Sequence, residues 1–326
     1  GLLGRLREGI GVIRAGEELA RDNGLDDIRL DALLARGFFQ GEIDVAAALD
    51  CNREGLALAR RVGDRSAMLR FINNFGYFAF LAGDWDGALA ELDGQLAEDL
   101  ERADLIALLG TALIVHACRG ELVTEGLAEL ERAFAGDTGR HGMIFLEDAK
   151  ANAALTDGRL GDARAAWRHM AELAAGNAPA GFYQAARPAL WDGDVAAVQT
   201  DLAALDATGV HGGVVEVRRT TIRAGLAALE GRTADALVLY REALRGWHDL
   251  GLPWDEALTG IDMATLLDSS DPDVRTVAES TREILVRLGA KPFLQRLEGA
   301  MAPSTSAEPS TSGATRPTES RSATPS

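Results

Sequence analysis

Lysine is nearly missing from this chain: Lys150 and Lys291 are the only two among 33 basic residues, set against 50 acidic ones. The arginine skew reads as the mark of a GC-rich genome, not of an arginine-dependent function. The net charge of -17 sets the surface as a whole against nucleic-acid phosphates and anionic membranes, although a local basic patch is compatible with it. Cysteine is scarce too. Cys51 and Cys118 lie far apart and form no Cys-x-x-Cys pair, which argues against a disulfide framework or a zinc site and predicts two small buried residues in a reducing cytoplasm. With 6% aromatic residues and 9 prolines, the abundant Ala and Leu favour close-packed helices over a sandwich or barrel. The longest apolar runs, Phe75 to Ala82 and Ala112 to Cys118, fall short of the roughly 18 residues a membrane span needs. Arg5, Arg7 and Glu8 stand where a secretory signal is apolar, and no Met opens the chain, so a segment of a longer polypeptide is expected.

Catalytic signatures are missing as well. Lys150 in EDAKAN and Lys291 in GAKPFL fit no phosphate-binding loop, none of the five histidines precedes Glu as in a His-Glu-x-x-His helix, and no Gly-x-Ser-x-Gly elbow occurs. His116 and Cys118 are two apart on a helical pattern and point to different sides, so they do not share a metal. Asp84 and Asp86 flank Trp85, and Asp271 and Asp273 flank Pro272. Each pair opens a helix, where carboxylates cap free N–H groups and complement the dipole. Catalytic, cofactor and metal sites are therefore expected to be none. The five tryptophans read as core fillers, Trp191 least clearly.

What is present is a repeat. Residues 66–100 read as two amphipathic helices: Phe71, Ile72, Phe75, Phe78, Ala79 and Ala82 form one buried face, Gly83-Asp84 breaks the pattern, and Ala88, Leu92, Leu96 and Leu100 draw a second stripe. A glycine followed about five residues later by a small or apolar residue recurs as Gly41/Ala46, Gly83/Ala88, Gly120/Gly126, Gly158/Ala163, Gly193/Val198 and Gly231/Ala236. The intervals run from 35 to 42 residues. The Gly120 unit carries one extra residue and the Gly193 unit is short and degenerate. Residues 1–22 read as a second helix without its first, ending at Asn23-Gly24 in a left-handed cap. Val214 to Val217 is taken into a helix. Helices are expected from Trp254 to Leu267 and from Asp271-Pro272 to Leu288, and KPFLQRLEGAM is expected to cover the open end of the stack.

The unit around Gly76, Gly83, Trp85 and Ala88 resembles a tetratricopeptide repeat, whose small residues let two helices cross closely. The resemblance implies an all-α, right-handed superhelical solenoid of helix-turn-helix repeats over residues 1–302. It also implies that the first helices line a concave face contacting peptides or neighbouring domains. Carried over to this sequence, the contact positions are Asp31, Arg70, Asn73, Asn74, Tyr77, Asp148, Asn152, Tyr183, Arg187 and Arg218. Residues 255–301 are similar to the end of the repeat region in large bacterial signalling ATPases, which place a class III nucleotidyl cyclase or another output domain and an ATPase module before it. LuxR-type transcription activators share the repeats but continue into a helix-turn-helix, where Met301-Ala302 here runs into a Ser/Thr/Pro stretch. The resemblance thus implies a non-catalytic scaffold binding a protein or peptide, or an upstream domain of its own polypeptide. The alternatives are a peptide- or inducer-sensing domain of a transcription regulator and a freestanding co-chaperone-like adaptor.

Residues 303–326 carry only Glu308, Arg316, Glu319 and Arg321 as charges and too little apolar surface to offset ordering entropy, so disorder is expected there. Deleting 303–326 should leave the melting temperature unchanged in a thermal scan. A lower melting temperature would show that the segment is docked.

Overall fold

The computed structural model describes residues 5–135 and 139–302, and the Ser/Thr/Pro stretch with its expected disorder lies outside them. The described residues form sixteen α-helices packed in sequential pairs, as a helical repeat requires. Helix α1 (Leu6–Asp22) packs on α2. Then come α2 (Asp26–Gln40) with α3 (Val45–Val62), α4 (Arg65–Leu81) with α5 (Trp85–Leu96), and α6 (Arg102–Arg119) with α7 (Thr124–Phe134). They are followed by α8 (Arg140–Thr156) with α9 (Leu160–Leu173), α10 (Ala178–Asp192) with α11 (Val195–Ala207), and α12 (Gly213–Leu229) with α13 (Thr233–Asp249). Helix α14 (Pro253–Leu266) pairs with α15 (Pro272–Leu288), and α16 (Lys291–Met301) comes last.

The turns show why these boundaries fall where they do. Asp44, Asp64, Asp84 and Asp194 each accept a hydrogen bond from the backbone N–H three residues on, and Asp271 accepts from Asp273 N at 2.8 Å, so orphan donors of five helix starts are satisfied. Five of the six marker glycines adopt the left-handed conformation; Gly41 does not, with φ of -58°. Its reason is steric, since a Cβ there would stand 2.3 Å from Phe78 Cε1 of α4. The extra residue after Gly120 delays α7 to Thr124, and the Gly193 unit, short as it is, folds as a normal capped pair. Helix α5 stops at Leu96, so Leu100 lies outside the expected stripe. Glu98 and Asp99 oppose the helix dipole there, and Arg65 Nη2 holds the Asp99 carbonyl at 3.1 Å.

Two kinds of packing build the body. Within a pair the helices cross closely: a Cβ on Gly76 would lie 2.8 Å from Leu92 Cδ1 of α5. Between pairs, each second helix packs on the next first helix, as α3 does on α4 and α9 on α10, and first helix also meets first helix, α4 touching α2 and α6, and α12 touching α10 and α14. A third contact was not expected. The chain returns on itself: α14 packs on α4 and α16 on α6. A Cβ on Gly83 would lie 2.8 Å from Pro253, one on Gly120 2.9 Å from Pro292, and one on Gly212 2.6 Å from the Glu42 carbonyl. Trp254 enters between Phe80, Trp85 and Phe293, at ring separations of 5.7, 5.1 and 4.8 Å. Helix α4 therefore has more than the one buried face that periodicity predicts; Leu69, Phe71, Phe78, Phe80 and Leu81 are all buried. Helix α16 likewise joins the return seam and does more than cover the end of the stack.

Replacing Gly76 by Leu should cost about 1–3 kcal/mol through overpacking against Leu92. Urea denaturation of the variant reads this directly, and an unchanged midpoint would show that Leu92 moves aside freely.

Candidate functional site

The first helices enclose a cavity of about 520 Å³. Its walls are mainly apolar and aromatic: Leu34, Phe38 and Phe39 come from α2, Leu69, Tyr77 and Phe78 from α4, Leu108 and Ile114 from α6, and Ile144 and Phe145 from α8. Polar side chains stand among them. Asn73 and Thr111 are joined by a 2.8 Å hydrogen bond from the threonine hydroxyl to the Asn73 side-chain Oδ1. Arg218 reaches across the seam from α12 and donates to Glu42 Oε2 at 2.6 Å. Arg70 and His141 are exposed at the rim, where Arg70 also sits 3.7 Å from Asp31.

A second, smaller cavity of about 30 Å³ adjoins this chamber and shares Tyr77, Leu81, Ile114 and Asp148 with it. Asp148 is 8% exposed. Its Oδ1 accepts from Trp167 Nε1 at 2.9 Å and Asn152 Nδ2 at 3.0 Å. Burial pushes this carboxyl up to about 6, against the smaller opposing effect of those two donors. Behind it lies a buried ionic group. Arg187 Nε stands 3.2 Å from both oxygens of Asp262, its Nη2 donates to Tyr183 Oη at 2.8 Å, and Trp191 Nε1 donates to Asp262 Oδ1 at 2.7 Å. Burial raises Asp255 and Asp262, partly offset by the Arg187 guanidinium, and raises the Tyr77 and Tyr183 hydroxyls.

Of the ten contact positions implied by the repeat resemblance, six line the large cavity: Arg70, Asn73, Asn74, Tyr77, Asp148 and Arg218. Asn152 and Arg187 line the small one. Tyr183 is 3% exposed and lies between the guanidinium groups of Arg187 and Arg218, at 5.0 and 5.7 Å from its ring centre. Tyr183 and Arg187 are thus internal side chains with internal partners, and Asp31 stays outside the chamber. Periodicity did not mark Phe38, Phe39, Glu42, Thr111, Asp255 or Asp262 as site residues. Thr111 and Asp262 interrupt otherwise apolar helix patterns, which is the signal that marks a polar group destined for burial beside a partner, whereas Asp255 stands beside Glu256 in the first turn of α14, where acidic residues are ordinary.

Among the described residues no group of three His, Cys, Asp or Glu side chains is placed to hold a metal, and no helix is long and apolar enough to cross a membrane. Cys51 and Cys118 are both buried and unbridged. No protein-family model matches this chain, and no curated protein sequence does.

Asp148 has a sign to its pH effect. Its folded value lies above the unfolded one, so its contribution to stability is fully present below about pH 4 and is lost as pH rises through about 6. Asp148→Asn keeps the Oδ1 acceptor and removes that loss. Its stability relative to the native protein should rise by about 2–3 kcal/mol between pH 4 and pH 7.5, read from urea unfolding at each pH. A pH-independent difference would contradict a buried, titrating Asp148.

Proposed function

We propose that this chain is a non-catalytic sensing module of a multidomain signalling protein, in which a right-handed superhelical, tetratricopeptide-like solenoid encloses a small, largely apolar ligand. The observation that carries the reading is the chamber: about 520 Å³, walled largely by aromatic and aliphatic side chains from four first helices, with polar side chains such as Asn73, Thr111, Asp148 and Arg218 set among them. Small-molecule sites have this size and this balance. An extended peptide needs a groove open along its length. Here the return of α12, α14 and α16 onto the first three pairs closes the inner side, which favours ligand sensing over the peptide scaffold that the resemblance alone implies.

Sensing also needs an element that responds to occupancy. The Glu42–Arg218 contact belongs both to the chamber wall and to the seam, so a ligand pressing on that wall acts on the contact that closes the ring. Other domains of the same polypeptide, of the nucleotidyl cyclase/ATPase type or of the LuxR type, are the partners that would read the change. No nucleic acid, membrane or cofactor enters this reading.

The neutral fluorophore prodan should brighten on binding the full chain, and Ala107→Trp, which places an indole in the chamber, should abolish the effect while the helical circular dichroism signal persists. Brightening that survives Ala107→Trp would put the probe elsewhere and remove the chamber reading. ATP turnover by the purified chain would overturn its non-catalytic part.

A further inference from the structure

Five carboxylates are buried among the described residues, and four have a guanidinium beside them. Glu17 meets Arg36 at 2.9 Å, Asp201 meets Arg164 at 2.8 Å and also Arg168, and Asp262 meets Arg187 at 3.2 Å. Asp255 lies in the fields of Arg187 and Arg218. Asp148 is the exception. Its two donors, the Trp167 indole and the Asn152 amide, are neutral and both go to Oδ1, and Oδ2 takes no hydrogen bond from the described residues. A buried carboxylate without a countercharge is costly, and the fold compensates the other four.

The place where this happens is the junction of the two cavities. Asp148 lines both, and so does Tyr77, an aromatic residue of the kind whose ring face attracts a cation. The smaller cavity, about 30 Å³, has room for one group the size of water or ammonium. Gln184 Oε1 also borders it, buried and without a donor. Two acceptors therefore wait at the base of an apolar chamber. The other charges there do not change the balance: Arg187 is committed to Asp262 with Asp255 nearby, and Arg218 to Glu42. At the chamber rim Arg70 is opposed by Asp31 and Asp104.

We infer that the chamber takes a small organic cation, an apolar body of aromatic size carrying a protonated amine that donates to Asp148 Oδ2 and Gln184 Oε1. The inference rests on the chamber being a ligand site and names the chemistry of its occupant. The amine supplies the countercharge that Asp148 lacks, the Tyr77 ring covers one side of it, and the body displaces water from the Phe38, Phe78 and Phe145 walls. The closed inner side leaves room for a compact molecule and not for a lysine presented on an extended chain.

Three probes with one body and different charge test this on the full chain at pH 7.5: 4-phenylbutylamine, 4-phenylbutan-1-ol and 4-phenylbutyrate, each measured by calorimetry and by displacement of prodan. The amine should bind roughly tenfold tighter than the alcohol, as a charge-assisted hydrogen bond predicts, and the carboxylate most weakly. Asp148→Asn should bring the amine down to the level of the alcohol. The amine-to-alcohol ratio is read on the native chain, so the test does not depend on the variant folding. An alcohol that binds as well as the amine, or an amine preference that survives Asp148→Asn, would overturn the inference and leave the chamber as a ligand site. Failure of all three to displace chamber-bound prodan would also overturn it. Prodan binding that ignores Ala107→Trp would instead remove the chamber reading itself.

Discussion

The insertion of Trp254 between Phe80, Trp85 and Phe293 is the contact on which the inner architecture depends. It joins the second pair of helices to the seventh and to the last helix, and it is flanked by the approach of Pro253 to Gly83 and of Pro292 to Gly120. These contacts close the inner side on which the first helices face one another across the cavity, which stays open at the rim of Arg70 and His141. Large aromatic surfaces bury the most area per residue, so a few such rings suffice to hold distant parts of a helical stack together.

Closing the interior changes the meaning of the polar residues on the first helices. On an open face Asn73, Asp148, Arg187 and Arg218 would be solvated and cheap to keep. Inside, each needs a partner, and the fold supplies Thr111 for Asn73, Glu42 for Arg218, and Asp262 and Tyr183 for Arg187, whereas Asp148 has only the neutral donors Trp167 and Asn152. The result is a band of buried charge behind an apolar chamber, which fixes the relative positions of α10, α12 and α14. Breaking one member of such a pair leaves an uncompensated ion, so the band resists partial opening.

Much of the helix inventory was legible in the residues. Asp at a helix start, Gly in the left-handed conformation at its end and apolar spacing of three and four place most boundaries, because these are local effects of backbone geometry and of the nearest turn. Gly76 was legible as a close crossing for the same reason: its neighbour Leu92 lies only one helix away. Where local and distant effects act together, local reading fell short. Gly41 looked like the other marker glycines but is kept small by Phe78 of the following pair. Leu100 fitted a four-residue stripe, yet the acidic run before it ends the helix first.

The residues by themselves determined an all-α chain of paired helices, with small residues where helices cross and polar residues spaced along the first helices. Which of those polar residues face a chamber, which pair with one another and which stay in solvent was decided only in three dimensions. The reason is that Glu42 and Arg218, Gly83 and Pro253, and Gly120 and Pro292 are far apart in the chain, and their meeting depends on the summed rotation of every intervening pair. Periodicity reports the angle of a side chain around its own helix. It does not report which distant pairs meet, and those meetings place Asp148 where the two cavities join.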